Sequence, residues 1–209
     1  MSDKPDYPKF ITPRGTFQYP HLVTPDTKFD SDGVFRCTTA VGVKEAAAFV
    51  AHLEAIRDTF YDELEPKQRK VARKADVVEI ELDDTGEETG RVLIKAKQKA
   101  KITTKKGQVI DKKVPLFDSV NKRISPKSVW SGTEGRLAGV LIPYFMASTK
   151  EVGVSLRLNG VQILKLVEGS GDSGESYGFE EEEGYEGETF ENNADNAGGD
   201  DTDGDAGEF

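Results

Sequence analysis

The C-terminal segment 168–209 constrains the fold most, because it lacks the side chains from which a hydrophobic core is built. It contains no Val, Ile, Leu or Met, is rich in Gly, Ser and Asn, and carries 16 Asp or Glu residues without a single Lys or Arg. Such a segment buries too little apolar surface to offset the entropy lost on ordering. The sequence therefore predicts one folded domain in residues 1–167 and a disordered acidic tail in residues 168–209.

Setting the tail apart reverses the charge of the remaining chain. The whole chain has 28 basic and 38 acidic residues and a net charge of −10. Subtracting the 16 acidic residues of the tail from 38 leaves 22 against 28, so residues 1–167 carry a net charge of +6. The acidic average thus conceals a basic domain, and a nucleic-acid partner is not excluded by the overall charge.

Several classes of function are disfavoured by residues that the chain lacks. Cys37 is the only cysteine and lies in an apolar run, which favours a core position over a nucleophile or a disulfide. His21 and His52 are the only histidines, and no glycine-rich phosphate loop occurs, so we expect no metal, no cofactor and no enzymatic activity. The absence of a long apolar run predicts no membrane partner and a cytoplasmic location.

The first half of the domain predicts short strands followed by one long helix. Five prolines leave room only for brief extended pieces, such as residues 10–11 and 16–19, before a strand at 34–40. Apolar residues then recur at helical spacing over 43–64, which predicts a helix with one buried face. Pro66 ends this helix or begins a second, short one. The five prolines are Pro5, Pro8, Pro13, Pro20 and Pro25.

The second half changes to the period of β-strands. Alternation over 78–82, followed by the turn residues 83–86, predicts a hairpin, and further strands are predicted at 108–117, 136–146 and 153–167. Gly139 and Gly160 are candidate bulge positions in the last two strands. About seven or eight strands with one inserted helix predict a mainly β, OB-fold-like Greek-key barrel, with a β-sandwich as the alternative.

Basic residues are concentrated in the middle of the domain. Four lysines occupy every second position of the strand that follows the hairpin turn, so their ammonium groups share one face. A basic face with nearby aromatic rings suits single-stranded nucleic acid, which offers phosphates to the cations and bases to the rings. The candidate DNA-binding residues are Lys95, Lys97, Lys99, Lys101, Lys105, Lys106, Lys112, Lys113, Lys122, Arg123, Lys127, Trp130, Tyr144 and Arg157.

Other interpretations of these residues stay open at this point. A row of lysines can simply solvate an edge strand, and strand aromatics are more often part of a core. Tyr19 and Phe117 are weaker candidates for stacking, and Tyr144 rather than Phe145 is expected to face outward because its hydroxyl tolerates water. The tail can be a solubility segment, or it can interact with partners through its aromatic residues and terminal Phe209.

Short motifs at both ends of the domain resemble those of the single-stranded DNA-binding proteins of tailed bacteriophages. The resemblance rests on the segments 12–15, 19–20, 25–28, 142–145, 153–158 and 161–166, and on an acidic tail that closes on phenylalanine. It implies an OB-fold barrel that coats single-stranded DNA without sequence preference during replication, recombination and repair, in the cytoplasm of an infected host cell. Tyr144 aligns with an aromatic residue of the family.

The resemblance also implies that the tail recruits replication proteins, such as the DNA polymerase and the helicase-primase. The chemistry of the tail, carboxylates interrupted by aromatic rings, predicts in addition that it competes with DNA for the basic surface. A homodimer is compatible with the sequence as well. Two other functions stay open: an acidic DNA mimic or assembly chaperone that acts through the tail, and an RNA-binding OB module. The partner-binding residues expected in the tail are Glu180, Glu181, Glu182, Glu183, Asp200, Asp201, Asp203, Asp205, Glu208 and Phe209.

Overall fold

The computed structural model of the chain describes residues 6–104 and 107–167. These residues form a mainly β structure with one long helix, as predicted. The elements in chain order are β1 (Lys9–Ile11), β2 (Gly15–Asp26), β3 (Val34–Gly42), α1 (Val43–Glu63), α2 (Pro66–Arg69), β4 (Arg73–Lys74), β5 (Glu79–Leu82), β6 (Glu88–Lys99), β7 (Lys101–Thr103), β8 (Val109–Asp111), β9 (Leu116–Phe117), β10 (Arg123–Ile124), β11 (Glu134–Met146) and β12 (Glu151–Lys165).

Five long strands form the partly open barrel of an OB fold. The pairings run from β2 to β3, β6, β12 and β11, and β11 returns to β2. All of these pairs are antiparallel except β6 with β12, which is parallel. The β6–β12 and β11–β2 ladders contain only two residue pairs each, so the barrel is incompletely closed at these two seams. The predicted OB-fold-like barrel is confirmed.

The core fills the inside of this barrel and extends under α1. Phe17, Ile94 and Leu137 are almost completely buried, because alternate residues of each barrel strand point inward. Helix α1 presents Ala46 and Leu53 to the same core and contacts β3, β6, β11 and β12. Neither helix in the described residues combines the length and the apolar composition that crossing a bilayer requires.

Cys37 belongs to this core, in agreement with the interpretation of the sequence. Its side chain is buried, and that burial raises the pKa of the thiol far above its ordinary value. A thiol that stays protonated is a poor nucleophile, because the thiolate is the reactive form. Cys37 therefore acts as a small apolar residue of β3.

Strand β2 is longer than the proline pattern predicted. It continues through Pro20 and Pro25, although only brief extended pieces were expected between the prolines. The reason is that its ladder with β3 is interrupted between Gln18 and His21, and again between His21 and Asp26. Both prolines occupy unpaired positions, where the missing backbone N–H costs no hydrogen bond.

The pairing of β11 with β12 confirms the predicted irregularity near the two glycines. Ala138 pairs with Gly160 and Gly139 pairs with Leu158, so Asn159 is the extra residue of a bulge. By contrast, the single strand predicted over 108–117 is two short strands. β8 pairs with β7 in a separate two-stranded sheet, whereas β9 pairs with β10 and β12. This fragmentation gives twelve strands in the described residues, more than the seven or eight expected.

Candidate nucleic-acid interface

A groove of about 1100 Å³ opens on the outer surface of the barrel. Strands β2, β3 and β6 contribute to it, together with residues 76–79 and parts of β11 and β12. Three of the predicted DNA-binding residues line it: Lys95, Lys97 and Tyr144. Arg36 and Tyr19 line it as well, although the sequence interpretation left out Arg36 and ranked Tyr19 low. Cations and aromatic rings therefore meet in one concave surface.

The alternation of β6 brings its lysines to this surface. Lys95, Lys97 and Lys99 are exposed, whereas Ile94, Ala96 and Ala100 are buried. Because side chains of a strand alternate between its two faces, burial of the apolar set fixes the lysines on the outside. The shared lysine face extends to the end of β6 at Lys99, where a bend at Ala100 separates it from Lys101 in β7.

Three basic residues form a row that crosses the strands. Lys97 of β6 pairs in register with Arg36 of β3 on one side and with Arg157 of β12 on the other. All three side chains are exposed. Adjacent strands lie about 4.8 Å apart, so the three Cα atoms span roughly 10 Å. Like charges at directly opposite positions destabilise a sheet, so this transverse basic row has a cost that an anionic partner would offset.

The three members of the transverse basic row differ in their neighbours. The Nη2 atom of Arg36 lies 2.6 Å from Oδ2 of Asp26. The guanidinium carbon of Arg157 lies 5.9 Å from the ring centroid of Tyr7. Within the described residues, no carboxylate lies within 4 Å of the Lys97 ammonium, which makes it the least compensated cation of the row.

Asp26, the carboxylate partner of Arg36, stays ionised at neutral pH. The backbone N–H of Lys28 and the charge of Arg36 hold the pKa of Asp26 below its usual value. In the groove itself, Nζ of Lys95 lies 2.5 Å from Oε2 of Glu79. Lys95 is therefore partly neutralised by Glu79, as Arg36 is by Asp26, and Lys97 is the cation of the groove that has no carboxylate partner within 4 Å in the described residues.

Tyr144 is held in the groove by its cross-strand partner. It pairs with Gly153 of β12, and a Cβ atom on Gly153 would lie 2.5 Å from the tyrosine oxygen. Only glycine leaves room for the ring to lie against the neighbouring strand. Both Tyr144 and Phe145 are half-buried and both line the groove, so the two residues do not divide into one inward and one outward side chain.

The wall formed by residues 76–79 is anchored to α1. The buried Arg57 donates from Nη1 to the carbonyl of Ala75 at 2.9 Å and from Nε to Asp58 at 2.9 Å. Lys74 lies 3.1 Å from the other oxygen of Asp58. Hydrogen bonds and charges from Arg57 and Lys74 hold the pKa of Asp58 below its ordinary value, so these contacts persist at neutral pH.

A second charged cluster lies at the other end of β6, where Glu81 of β5 points inward. Its carboxylate accepts hydrogen bonds from Gln18 at 2.5 Å, Thr89 at 2.5 Å and Arg91 at 2.6 and 3.0 Å. Burial raises the pKa of Glu81, but these donors outweigh it and hold the pKa below its usual value. Ile80 and Leu82, its neighbours in β5, are exposed. The usual apolar-inward alternation is thus inverted in this strand.

The other basic candidates do not line the groove. Lys99, Lys101 and Lys112 lie around the end of β6, where the N–H of Lys112 donates to the carbonyl of Ala100. Lys113 follows β8, Lys122 and Arg123 lie at the β9–β10 hairpin, and Lys127 precedes β11. The side chains of all seven residues are exposed.

Trp130 is 55 % exposed and begins the turn that enters β11. Its N–H donates to the carbonyl of Val167, and the next residue, Ser131, contacts Tyr19 of the groove. Trp130 therefore lies beside the groove without lining it. The remaining predicted residues, Lys105, Lys106, the acidic residues of the tail and Phe209, lie outside the described residues.

Arg36 is the functional candidate that the sequence interpretation missed. Its outward direction could be inferred from the sequence, because Arg36 stands in a predicted strand between Phe35 and Cys37, which are both buried. What the sequence does not reveal is that this outward position lies opposite Lys97. That pairing depends on the register between two strands separated by α1.

Comparisons with known proteins place this fold among phage proteins. No protein-family model matches the sequence, and no curated protein is significantly similar to it. Among solved structures, gp2.5, a single-stranded DNA-binding protein encoded by bacteriophage T7, superposes with a TM-score of 0.63 at 19 % identity, over 87 % of this chain and 100 % of gp2.5. The single-stranded DNA-binding protein of bacteriophage Enc34, in complex with single-stranded DNA, gives a TM-score of 0.52 at 11 % identity, over 78 % of this chain and 89 % of the Enc34 protein.

A second structure of the Enc34 protein, truncated at its C-terminus, gives the same TM-score of 0.52 at 10 % identity, over 77 % of this chain and 87 % of the Enc34 chain. These identities are low, so the likeness concerns the fold. The shared fold agrees with the resemblance of the sequence motifs to those of the phage single-stranded DNA-binding proteins. The chain has the fold of the bacteriophage single-stranded DNA-binding proteins.

Proposed function

We propose that this protein binds single-stranded DNA without sequence preference, along the groove and along the transverse basic row, of which Arg36 and Lys97 line the groove. The observation that carries the proposal is the alignment of Arg36, Lys97 and Arg157 across three strands, with Arg36 and Lys97 in the groove that Tyr144 also lines. The proposal is supported by the fold shared with gp2.5 of phage T7 and with the Enc34 protein, both of which are named as single-stranded DNA-binding proteins.

The chemistry of the groove explains why the binding would not depend on sequence. Ammonium and guanidinium groups attract phosphates, which every nucleotide carries. Aromatic rings stack on any base, because every base has a flat π-face. Duplex DNA hides its bases inside the helix, so only an unpaired strand can satisfy the cations and the rings together. The protein would act by coating strands and not by catalysis.

The tail belongs to the same proposal. A chain of carboxylates interrupted by aromatic residues resembles a strand of phosphates interrupted by bases, so it can compete for the groove at the effective concentration set by its tether. When DNA displaces it, the tail and its terminal Phe209 become available to replication proteins such as the polymerase and the helicase-primase. This would place the protein in replication, recombination and repair of phage DNA in the host cytoplasm.

Equilibrium titration of labelled oligothymidylate tests the central part of the proposal. We expect saturable binding of oligothymidylate and much weaker binding of a duplex of equal length. With about four phosphates neutralised, the slope of log K against log salt should be about −3. Tighter binding of oligouridylate would favour an RNA-binding module instead. Failure to bind any nucleic acid would favour the acidic interaction protein.

A deletion of residues 168–209 tests the role of the tail in the same titration. Competition predicts tighter DNA binding by the shortened chain, and an unchanged or weaker affinity would contradict it.

Phe209→Ala in the full chain should spare DNA affinity and weaken pull-down of the replication polymerase. Equal capture of the polymerase by the variant would return the tail to a solubility role. Sedimentation of the same samples would show whether the protein is a homodimer.

A further inference from the structure

Tyr19 adopts a backbone conformation that tyrosine rarely tolerates. Its φ angle is 47°, in the left-handed region, although it lies within β2. Bulky L-residues reach this region only at a cost, because Cβ approaches the carbonyl oxygen. The strained residue coincides with the first interruption of the β2–β3 ladder, between Gln18 and His21. Strain of this kind persists only where the surroundings enforce it.

Two contacts enforce the conformation of Tyr19. Its N–H donates to the hydroxyl of Ser131 at 2.9 Å. Phe17 of β2 forms backbone hydrogen bonds with the turn before β11, and at Tyr19 the side chain of Ser131 replaces a backbone acceptor of that turn. The preceding residue, Gln18, donates from Nε2 to the buried carboxylate of Glu81. Tyr19 and the residue before it are therefore tied to two separate parts of the barrel.

Packing of the ring does not offset this strain. Tyr19 is 77 % exposed, which makes it one of the most exposed large side chains in the described part of the chain. It lies at the groove that also contains Lys97 and Tyr144. A rigid backbone thus holds an unburied aromatic ring beside phosphate-binding cations.

We infer that Tyr19 is a preorganised stacking site for one unpaired nucleobase, with Ser131 as the residue that positions it. This inference rests on the proposed function and adds a specific contact to it. A backbone that is fixed before binding loses little conformational freedom when a base stacks on the ring that it carries, which favours affinity. Because stacking involves no ion release, its loss should weaken binding equally at all salt concentrations.

Two variants without the ring test the stacking site. Tyr19→Gly and Tyr19→Asn both suit the left-handed conformation, so both should fold, and thermal unfolding checks this. We expect each to bind oligothymidylate about tenfold more weakly, as for the loss of one stacked base, with an unchanged salt slope. Tyr19→Phe, which keeps the ring, should bind within about twofold of the wild type.

An abasic oligodeoxyribose phosphate of the same length provides the decisive control. It keeps every phosphate and lacks every base, so Tyr19→Gly and the wild type should bind it equally. Ser131→Ala should weaken oligothymidylate binding by a few-fold in the wild type and have no further effect in Tyr19→Gly, because the residue it positions is gone.

The inference is overturned if Tyr19→Gly binds oligothymidylate as tightly as the wild type, or if its loss is equally large on the abasic strand. These outcomes are distinct from failure of the proposed function, in which the wild type itself would not bind oligothymidylate.

Discussion

The two ends of β6 handle positive charge in opposite ways. At the first end, Arg91 donates two hydrogen bonds to the buried carboxylate of Glu81, which Thr89 and Gln18 also approach. At the other end, Lys97 lies between Arg36 and Arg157, and no carboxylate of the described residues lies within 4 Å of its ammonium. One strand therefore carries a compensated cation and an uncompensated one.

The difference separates a contribution to stability from a contribution to binding. A buried ion pair with all its hydrogen bonds made holds strands in register, and breaking it leaves polar groups without partners. A row of like charges across a sheet has the opposite effect on the free energy of unfolding. Such a row is expected where an anionic ligand offsets the repulsion, as we propose for the groove.

Removing the Glu81 carboxylate should have the largest effect on stability. Glu81→Ala leaves Gln18, Thr89 and Arg91 without their shared acceptor, and should lower the free energy of unfolding by roughly 3 kcal/mol, at the low end for a buried pair because Arg91 keeps access to water. Urea denaturation measures it. Glu88→Ala, which removes an exposed carboxylate of the neighbouring strand β6, should change the unfolding free energy by less than about 0.5 kcal/mol. A similar value for both variants would mean that the cluster is not structural.

The contribution of Glu81 should also depend on pH. Its folded-state pKa lies below the ordinary value of 4.5, so the ionised carboxylate stabilises the fold above that pH. As the pH falls from about 4.5 through the lower folded pKa, this stabilisation is lost. The difference in unfolding free energy between wild type and Glu81→Gln should therefore shrink on acidification between neutral pH and pH ~3. A difference that stays constant over this range would show that the charge of Glu81 does not stabilise the fold.

Reversing the charge at the centre of the row should have the largest effect on DNA binding. Lys97→Glu removes one attraction and adds one repulsion, each of roughly 1 kcal/mol near the surface, so affinity for oligothymidylate should fall on the order of 30-fold at low salt. Lys44→Glu, an exposed charge reversal at the start of α1, is the matched control and should reduce affinity by only about twofold through the change in net charge. An equal loss in both variants would point to net charge instead of the row.

Single neutralisations should have a smaller and more diagnostic effect. Arg36→Ala or Arg157→Ala should each make the salt slope shallower by about 0.7, the value for one phosphate contact on a single strand. Titrations at four or more salt concentrations measure the slope. A slope equal to that of the wild type would remove the altered residue from the phosphate path.

Local sequence patterns were sufficient for part of this interface. Period-two alternation placed Lys95 and Lys97 on one outward face, and the helical spacing over 43–64 predicted α1, because both patterns depend on neighbours in the chain. The transverse basic row required more. The pairing of Lys97 with Arg36 and Arg157 depends on registers between strands far apart in sequence, which no local pattern encodes.

Two further features escaped sequence reasoning for a different reason. Glu81 lies in an alternating strand whose exposed residues are the apolar ones, so its inward direction follows from Arg91 and Gln18, which approach it in the folded barrel. The left-handed backbone of Tyr19 is likewise imposed by Ser131, a residue far along the chain. Both are cases in which tertiary contacts override local preference.

Lys97→Ala, measured in parallel for unfolding and for binding of oligothymidylate, tests the central claim most directly. Removing the middle charge relieves repulsion from Arg36 and Arg157, so the free energy of unfolding at low salt should rise by a few tenths of a kcal/mol. The same change should lower DNA affinity about fivefold, since one phosphate contact is lost. Stability and affinity thus move in opposite directions. A variant that is less stable, yet binds DNA as tightly as the wild type, would contradict the assignment of this row to DNA binding.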